Sequence, residues 1–388
     1  MGRFAMQWEW KCDACGFTGQ SATQYFPKKC PLCGRAINWN RKTYDVPPPP
    51  PPPPFTGASE QMKGEDSFAR FKEKTDQTLR STFEFEKIEG FSWSKFMQQV
   101  FRKHSWAETE DYLSYGTPLQ TPALSDVGAH WPAPWLFFRM FLLTVGMVLF
   151  LYWQGDTLGV YTLVPLLFFG VIGIPVATLL LFWEVNIPKN ISILLLIRIM
   201  MISGFLSIIF TLILNGYIKL PNEPIYAIFA GPIEETAKLL TMLFFLRNKK
   251  YCYKLNGLLI GAAVGAGFAF IESGGYVLAS GVAADQVMWL RAFVAPVGHV
   301  AYSALVGFGL WRVCPGNVFK FENLLNRKFL SLFILAVALH MLWNSPLLGD
   351  QIILRTAIIG VIEYTIIIYL IQEGINEIRA LKNQQPAE

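Results

Sequence analysis

The chain has 388 residues, of which 53% are hydrophobic and 16% are charged. Its mean hydropathy is +0.35, above that of an ordinary soluble domain, and the apolar residues concentrate after residue 134. The net charge is +5, but the basic excess lies in the front part and in loops beside apolar segments, as in membrane proteins. These features predict an α-helical polytopic membrane protein with a small soluble domain at its amino end, and no nucleic-acid partner is expected.

Two Cys-x-x-Cys pairs in the first 46 residues resemble a zinc ribbon. The four thiols are Cys12, Cys15, Cys30 and Cys33. A glycine follows each pair, and such a tight turn lets both thiolates point at one tetrahedral ion. Residues 1–46 are therefore predicted to bind a structural zinc ion that replaces a core too small to fold unaided. Disulfides are the alternative, although such pairs are typical of reducing compartments.

Residues 47–90 are predicted to form a proline-rich and charged linker. An unbroken proline run over 47–54 predicts an extended rod of roughly 25 Å, which serves as a spacer or, alternatively, as a recognition segment. Residues 60–85 are charged and are expected to be a flexible or loosely helical tether.

Two short amphipathic helices are predicted within residues 91–134. Apolar residues recur near helical spacing from Phe91 to Phe101, and Ser105 with Glu108 forms a capping-box pattern. The helices are expected to form a packed module, a membrane-surface element or a partner dock.

About eight apolar segments after residue 134 are long enough to span a bilayer. They cover residues 135–153, 158–183, 191–215, 223–246, 256–280, 288–311, 329–348 and 352–372. Pro165 and Pro175 predict a kink in the second span. Five tryptophans near span ends are expected to be interfacial anchors: Trp135, Trp153, Trp183, Trp289 and Trp311. The spans define a core of residues 135–375 and a cytosolic tail of residues 376–388.

The distribution of lysine and arginine predicts the orientation of these spans. Most basic loop residues lie on one side, and an even span count places both termini there, in the cytosol. A zinc ribbon, which needs reduced thiols, agrees with that side. Cys252 and Cys314 are expected to be free thiols in cytosolic loops, and Arg198 is expected to reach the cytosolic interface from the third span.

Seven polar residues inside the predicted spans are the main indication of function: Glu234, Glu235, Lys238, Glu272, His299, His340 and Asn344. A charge at the centre of a bilayer costs roughly 2.5–3.5 kcal/mol on insertion scales, so such residues usually face the bundle interior for a function. Counting 1.5 Å per residue along each span brings them into one layer. Glu234 and Lys238 share a helix face, as do His340 and Asn344, whereas Glu235 points about 100° away from Glu234.

These residue types predict peptide hydrolysis within the membrane. Carboxylates and histidines in a confined cavity can supply a general base, a stabiliser of the oxyanion and a proton donor to the leaving amine. The sequence contains no Gly-x-Ser-x-Gly or His-Glu-x-x-His motif for serine or zincin chemistry. The alternatives are a proton-coupled transporter, a scaffold that recruits partners through the ribbon, and an internal Glu234–Lys238 ion pair that only makes its helix insertable.

Two further patterns concern packing. Gly257, Gly261 and Gly265 recur every four residues and predict close approach of a neighbouring helix. Glu363, midway in the last span, is expected to be a structural hydrogen-bonding partner.

Four motifs in order resemble the PrsW-type intramembrane proteases, relatives of the CAAX prenyl endopeptidase superfamily. They are Glu234-Glu235-x-x-Lys238, Phe268-x-x-x-Glu272, His299 after Pro296, and His340-x-x-Trp343-Asn344. The resemblance covers roughly residues 135–375. It implies an eight-helix core, in a bacterial cell membrane, that cleaves membrane-associated proteins such as an anti-sigma factor. The ribbon and linker lie outside this core and are expected to sense a signal or dock a cytosolic protein.

The resemblance also implies roles for the polar residues. Glu234 would be the general base, shaped by Glu235 and Lys238, and Glu272 with His299 would position or activate water. His340 with Asn344 would support the oxyanion. The prenyl endopeptidases have a histidine where this chain has Glu272, so the two sites differ there. A second zinc ion at the intramembrane site and a glutamate-driven mechanism without metal both agree with the motifs.

Overall fold

The fold is taken from a computed structural model of the whole chain. It describes residues 8–11, 18–21, 57–154, 159–218, 225–280, 287–288, 291, 297–348 and 351–384. Two compact units comprise residues 1–68 and residues 69–388. The four cysteines of the predicted zinc ribbon, the proline run and Trp289 lie outside the described residues.

The first unit contains a β-hairpin. Strand β1 (Trp8–Lys11) pairs antiparallel with β2 (Thr18–Ser21), with Trp8 opposite Ser21. The strands precede and follow the first Cys-x-x-Cys pair in sequence. Because neither cysteine pair is described, the zinc ribbon stays a prediction.

The charged linker contains a long helix. Residues Gly57–Phe83 form α1, with 27 residues, where the sequence analysis expected a flexible or loosely helical tether. Glutamate, lysine, arginine and glutamine, which favour helix, make up much of the segment. The segment lacks an apolar stripe, so the periodicity of the sequence could not decide between a flexible tether and a helix.

The module before the first span is packed onto the core. It contains α2 (Trp93–Met97) and α3 (Trp106–Leu113), and Phe96 is buried in the main hydrophobic core. The predicted capping box is confirmed: Glu108 N–H donates to the Ser105 hydroxyl at 3.2 Å, and Ser105 N–H donates to the Glu108 carboxylate at 2.8 Å.

Eight longer helices follow the module. They are α4 (Leu136–Trp153), α5 (Val164–Val185), α6 (Ile193–Tyr217), α7 (Ile225–Leu246), α8 (Lys254–Ala279), α9 (His299–Val313), α10 (Arg327–Asn344) and α11 (Ile352–Gln384). Within the described ranges, six of them are long and apolar enough to cross a membrane: α4, α5, α6, α8, α10 and α11. The chain is therefore an integral membrane protein in its helical part. Helix α7 carries three charged residues, and α9 has 15 residues, about 22 Å, so the count of eight spans stays a prediction.

Helix α8 lies at the centre of the bundle and packs against α5, α6, α7 and α9. The predicted close approach along its glycines is confirmed. A Cβ atom added to Gly261 would lie 2.1 Å from the Ser303 carbonyl oxygen, and one added to Gly265 would lie 2.0 Å from the His299 carbonyl oxygen. Backbone of α8 therefore touches backbone of α9 directly, and this contact fixes the start of α9.

Helix α5 contains a π-helical stretch, Leu167–Gly173, where a proline kink was expected. Pro175 follows this stretch and has no N–H to donate to the preceding turn. A wider turn before the proline absorbs the missing hydrogen bond.

The prediction that Trp135, Trp183 and Trp311 are interfacial anchors is wrong. All three are buried, and the Trp183 indole N–H donates to the Ile191 carbonyl at 2.8 Å. Composition alone does not distinguish a tryptophan at the lipid interface from one buried under a neighbouring loop. Trp153, by contrast, is 76% exposed.

Polar contacts fix the helix ends near residues 135, 185 and 312. The Glu184 carboxylate accepts the first backbone N–H groups of α4, from residues 135–137, at 2.7–3.0 Å, and also the Tyr112 hydroxyl at 3.0 Å. The Arg312 guanidinium donates to Glu373 at 2.9 Å and to the carbonyls of Phe83 and Glu84. Helix α11 continues to Gln384, through most of the predicted tail.

Candidate active site

Helix α7 presents its three charged side chains to the interior of the bundle. Glu235 and Lys238 are fully buried and form an ion pair of 2.7 Å. Glu234, with a side chain 12% exposed, lies 3.8 Å from the same ammonium. Glu234 and Glu235 point about 100° apart on the helix, and the long side chain of Lys238 brings its ammonium near both carboxylates. The ammonium also lies 4.1 Å from the centroid of the Phe268 ring.

Helix α10 brings His340 to this pair of carboxylates. Its Nδ1 lies 2.9 Å from Glu235 Oε1, and its Nε2 lies 3.7 Å from Glu234 Oε2. Since the carboxylate at Glu235 accepts, we assign the proton of His340 to Nδ1. Nε2 is then a free acceptor facing Glu234. The ring of Tyr302 stacks on His340 with centroids 5.3 Å apart, which holds its orientation.

Helix α9 supplies His299 from its first residue. The Lys238 ammonium lies 2.8 Å from Nδ1 of His299, and Nε2 lies 3.0 Å from Glu272 Oε2. Because an ammonium group only donates, Nδ1 accepts and Nε2 carries the proton. Glu272 on α8 also accepts from Arg291 at 2.7 Å. Both nitrogens of His299 are thus engaged, and its tautomer is fixed from both sides.

Glycines allow the helices to meet at this point. Gly298, just before α9, has φ of 131°, a value that side chains rarely tolerate, so a glycine is required where the chain turns into the helix. Gly265 on α8 approaches the His299 carbonyl without space for a Cβ atom. Gly231 on α7 lies near His340, where an added Cβ atom would be 3.4 Å from the ring and so at ordinary van der Waals distance.

Six of the seven predicted site residues lie together in the structure. With Arg291 they form one set joined by hydrogen bonds and ion pairs, called the acid–histidine cluster below: Glu234, Glu235, Lys238, Glu272, Arg291, His299 and His340. Asn344 lies one turn beyond His340, and its amide donates to the Ala227 carbonyl at 2.9 Å. Across the described ranges, no hydrogen bond joins Asn344 to the cluster.

Arg291 was not predicted as a site residue. Its guanidinium lies over the Tyr276 ring at 4.0 Å, and the side chain borders a cavity of about 110 Å³ beside Gly298, His299 and Tyr302. The sequence offered one weak signal. Arg291 follows a span that contains Glu272, and the one basic residue of that span, Lys254, lies at its other end.

Several enclosed oxygens have no hydrogen-bond partner among the described residues. They include Glu234 Oε2, Glu235 Oε2 and the Ser303 hydroxyl near the cluster. Glu363, expected to be a hydrogen-bonding partner, is fully buried with neither carboxylate oxygen paired in the described part of the chain. An unpaired buried carboxylate oxygen is costly, so Oε2 of Glu234 is a candidate for binding a reactant.

The cluster also contains a donor set suited to a metal ion. Glu234, His299 and His340 each offer one ligand atom, and these atoms lie within 4.8 Å of one another. Two histidines and one glutamate are a known ligand set of catalytic zinc. The donors therefore fit zinc in kind and number. Since both nitrogens of His299 already have partners, a bound ion would have to displace Lys238 or Glu272 from it.

Comparisons with known proteins identify relatives of the chain. Residues 191–373 match the model of the PrsW family intramembrane metalloproteases. The chain is 30% identical over 188 residues to Protease PrsW of Clostridioides difficile, which covers 45% of this chain and 75% of that protein. It is also 30% identical over 123 residues to Protease PrsW of Halalkalibacterium halodurans, over 31% of this chain and 53% of that protein.

No solved structure matches the chain. The region that matches the family model contains every member of the acid–histidine cluster. The first relative shows the family, because the match covers 75% of that protein at 30% identity. The chain belongs to the PrsW family of intramembrane proteases.

Proposed function

We propose that the protein hydrolyses a peptide bond in a membrane-associated protein, with Glu234 as the general base. The observation that carries this proposal is the enclosed Oε2 atom of Glu234, which lacks a hydrogen-bond partner among the described residues. It lies between the Lys238 ammonium at 3.8 Å and Nε2 of His340 at 3.7 Å. A base, a cation and an acceptor around one point are the groups that water activation requires.

In the proposed reaction, Glu234 removes a proton from water while the water oxygen attacks the peptide carbonyl carbon. The negative charge that develops on the carbonyl oxygen is stabilised by Lys238. An ammonium group has three donors, and two of them serve Glu235 and His299, which leaves the third for the oxyanion. The C–N bond then breaks, and the proton held by Glu234 passes to the leaving amine.

His340 and His299 take different parts in this scheme. His340 keeps Nε2 free because Glu235 binds its Nδ1 proton, so it accepts a hydrogen bond from the attacking water. His299 holds Lys238 through Nδ1, and Glu272 fixes the tautomer that makes this contact possible. We therefore assign His299 and Glu272 to the positioning of Lys238 rather than to water activation. Asn344 is assigned to holding the start of α7 through Ala227.

A metal ion held by Glu234, His299 and His340 would polarise the peptide carbonyl and lower the pKa of bound water. The reaction proposed above uses only side chains of the protein. In that scheme Lys238 supplies the positive charge at the centre of the cluster.

The parts of the protein outside the cluster are proposed to serve this activity. Both termini lie in the cytosol of a bacterial cell, and the predicted zinc ribbon docks a cytosolic protein. The substrate is a protein anchored in or bound to the same membrane, such as an anti-sigma factor. The eight helices α4 to α11 form the protease core.

A trapping experiment followed by a cleavage assay tests the proposed activity. The full chain with Glu234→Gln captures candidate single-pass proteins, and each is then reconstituted with the active protein in liposomes. Cleavage should fall by at least about 100-fold in Glu234→Gln and Glu235→Gln. Glu322→Gln, in an exposed loop, is the matched control and should cleave normally. Undiminished cleavage by Glu234→Gln would exclude the assigned base.

A further inference from the structure

A cleft between α6 and α7, far along α7 from the acid–histidine cluster, carries two arginines. It has a volume of about 530 Å³ and is lined by Leu195, Arg198, Ile199, Ile202, Phe244, Phe245, Arg247, Asn248 and Tyr251. None of these residues is acidic. Arg198 and Arg247 are both exposed, and across the described ranges neither guanidinium forms an ion pair. Two like charges therefore face the same space without a counter-ion from the protein.

The position of the cleft along the helices determines what its charges can meet. Arg198 lies near the beginning of α6, and Arg247 directly follows the end of α7. Both are at the end of the bundle where the positively charged loops lie, which is the end assigned to the cytosol. The amino terminus of α6 adds a partial positive charge at the same level. This end of the bundle meets the phosphate layer of the bilayer.

The remaining lining is apolar on the side that faces lipid. Phe244 is 62% exposed, and Ile202, which lies one turn further into α6 than Arg198, continues the apolar surface toward the centre of the bilayer. A ligand that fills the cleft thus has an anionic part at the arginines and a hydrocarbon part beside it. A free phosphate ion would leave this apolar surface uncovered.

The base of the cleft is held in place by hydrogen bonds from other elements. The Asn317 amide donates to the carbonyls of Asn248 at 2.7 Å and Tyr251 at 3.0 Å. The Trp311 indole N–H also donates to the Tyr251 carbonyl. Arg247 therefore belongs to a loop that is fixed before any ligand binds, and the site is preformed.

We propose that this cleft binds the headgroup of an anionic glycerophospholipid, with Arg198 and Arg247 on its phosphate and an acyl chain along Phe244 and Ile202. Arginine suits this role because its planar guanidinium can give two parallel hydrogen bonds to a phosphate group. Basic pockets between transmembrane helices on the cytosolic side bind lipid headgroups in this manner. The lipid would bridge α6 and α7, and it is independent of the proposed proteolysis.

Native mass spectrometry of the detergent-purified full chain tests the proposal by titration with phosphatidylglycerol and phosphatidylcholine. Phosphatidylglycerol should bind more tightly, and Arg198→Gln or Arg247→Gln should each weaken its binding about five-fold. The matched control is Lys249→Gln, an exposed basic residue of the same loop that does not line the cleft. It should bind phosphatidylglycerol like the original chain.

Two further arms separate the alternatives. Inorganic phosphate should compete poorly, and equal competition by phosphate would overturn the assignment to a lipid. The double variant Arg198→Lys with Arg247→Lys keeps both charges without the paired hydrogen bonds of arginine, so its binding of phosphatidylglycerol should lie between that of the original chain and that of the glutamine variants. The site would be refuted if the original chain bound phosphatidylcholine and phosphatidylglycerol equally well. It would also be refuted if both glutamine variants bound phosphatidylglycerol like the original chain.

Discussion

The Lys238 ammonium lies 2.8 Å from Nδ1 of His299, although 61 positions separate the two residues in sequence. A fully buried lysine has three close neighbours here, two carboxylates of its own helix and one histidine of another. The contact joins the part of the cluster on α7 to the part built from α8 and α9. Changes on either side should therefore affect the other.

Replacing Lys238 with methionine should destabilise the protein more than any other single change in the cluster. It leaves the Glu235 carboxylate buried without its ion-pair partner, and breaking such a pair costs about 3 to 5 kcal/mol. Thermal unfolding in detergent measures the effect. The double variant Glu235→Gln with Lys238→Met removes both charges and should recover much of the stability, so equal stability of the single and double variants would contradict the coupling.

Arg291→Gln should slow cleavage without unfolding the protein. The substitution removes a charged hydrogen bond of 2.7 Å to Glu272, worth about 1.5 to 3 kcal/mol, which corresponds to a loss of roughly 10- to 100-fold if the catalytic step depends on it. Because Arg291 acts through Glu272 and His299, kcat should fall more than KM rises. Arg291→Lys keeps a positive charge and should restore part of kcat. A change in KM alone would mean that Arg291 binds substrate instead.

Gly265→Ala should weaken both stability and activity, whereas Gly274→Ala on the same helix should not. A Cβ atom at Gly265 would lie 2.0 Å from the His299 carbonyl oxygen, but one at Gly274 meets nothing within 4 Å. Overpacking of this kind costs about 1 to 3 kcal/mol, and removing a helical glycine gains about 0.5 to 1 kcal/mol. Unfolding midpoints and cleavage rates of the two variants test the difference. Similar behaviour of both would contradict the close helix contact.

The stability of the protein should rise with pH above about 8 through Lys189. Burial lowers the pKa of Lys189 to about 8, although Glu184 partly opposes the effect. The folded protein then releases this proton at a lower pH than the unfolded chain, so the unfolded chain binds more protons and stability increases with pH. Burial raises the pKa of Tyr112 in the folded protein, whereas in the unfolded chain Tyr112 ionises near about pH 10. The comparison is therefore made below about pH 10.

Lys189→Met should abolish this rise. Unfolding midpoints of the two proteins at about pH 7 and about pH 9.5 make the test, because other groups change both proteins equally. The unfolding midpoint of the original chain, relative to that of the variant, should be higher at about pH 9.5 than at about pH 7. A constant difference between them would show that Lys189 keeps its ordinary pKa in the folded state.

Zinc in the purified protein should follow the amino-terminal cysteines. We expect about one zinc ion per chain from the predicted ribbon, as determined by elemental analysis. Cys12→Ser with Cys15→Ser should remove it, whereas Glu234→Gln should leave it in place. Retention of that zinc in the cysteine variant would place the ion at the intramembrane site.

The apolar sequence surrounding the cluster made most of its residues predictable. A buried charge is expensive in hydrocarbon, so Glu234, Glu272 and His340 stood out from their spans, and the structure brings them together. Helix rotation decided the rest. Asn344 shares a helix face with His340 but lies one turn further along, where it meets a backbone carbonyl. Arg291 had no pattern of its own to mark it.

Prediction of the fold succeeded where apolar runs defined the elements and failed where burial by protein replaced burial by lipid. Helices α4, α6, α7 and α8 begin and end within about two residues of the predicted spans, whereas α9 begins only at His299 and α11 continues to Gln384. Trp183, however, is enclosed by a loop that folds over it, which no local pattern reports. For helix α1 the sequence predicted either a flexible or a loosely helical tether, because its charged residues favour helix but form no apolar face.

The Glu184 carboxylate has a consequence for the order in which the chain is built. It closes the first turn of α4 but is synthesised after that helix, at the end of α5. Until α5 is complete, three amide groups at the start of α4 lack this acceptor, and leaving a buried donor unsatisfied costs about 1 to 3 kcal/mol. The two helices should therefore leave the ribosome as separate segments and settle in the bilayer as a pair. A chain truncated before residue 184 would insert α4 without the carboxylate that caps its first turn.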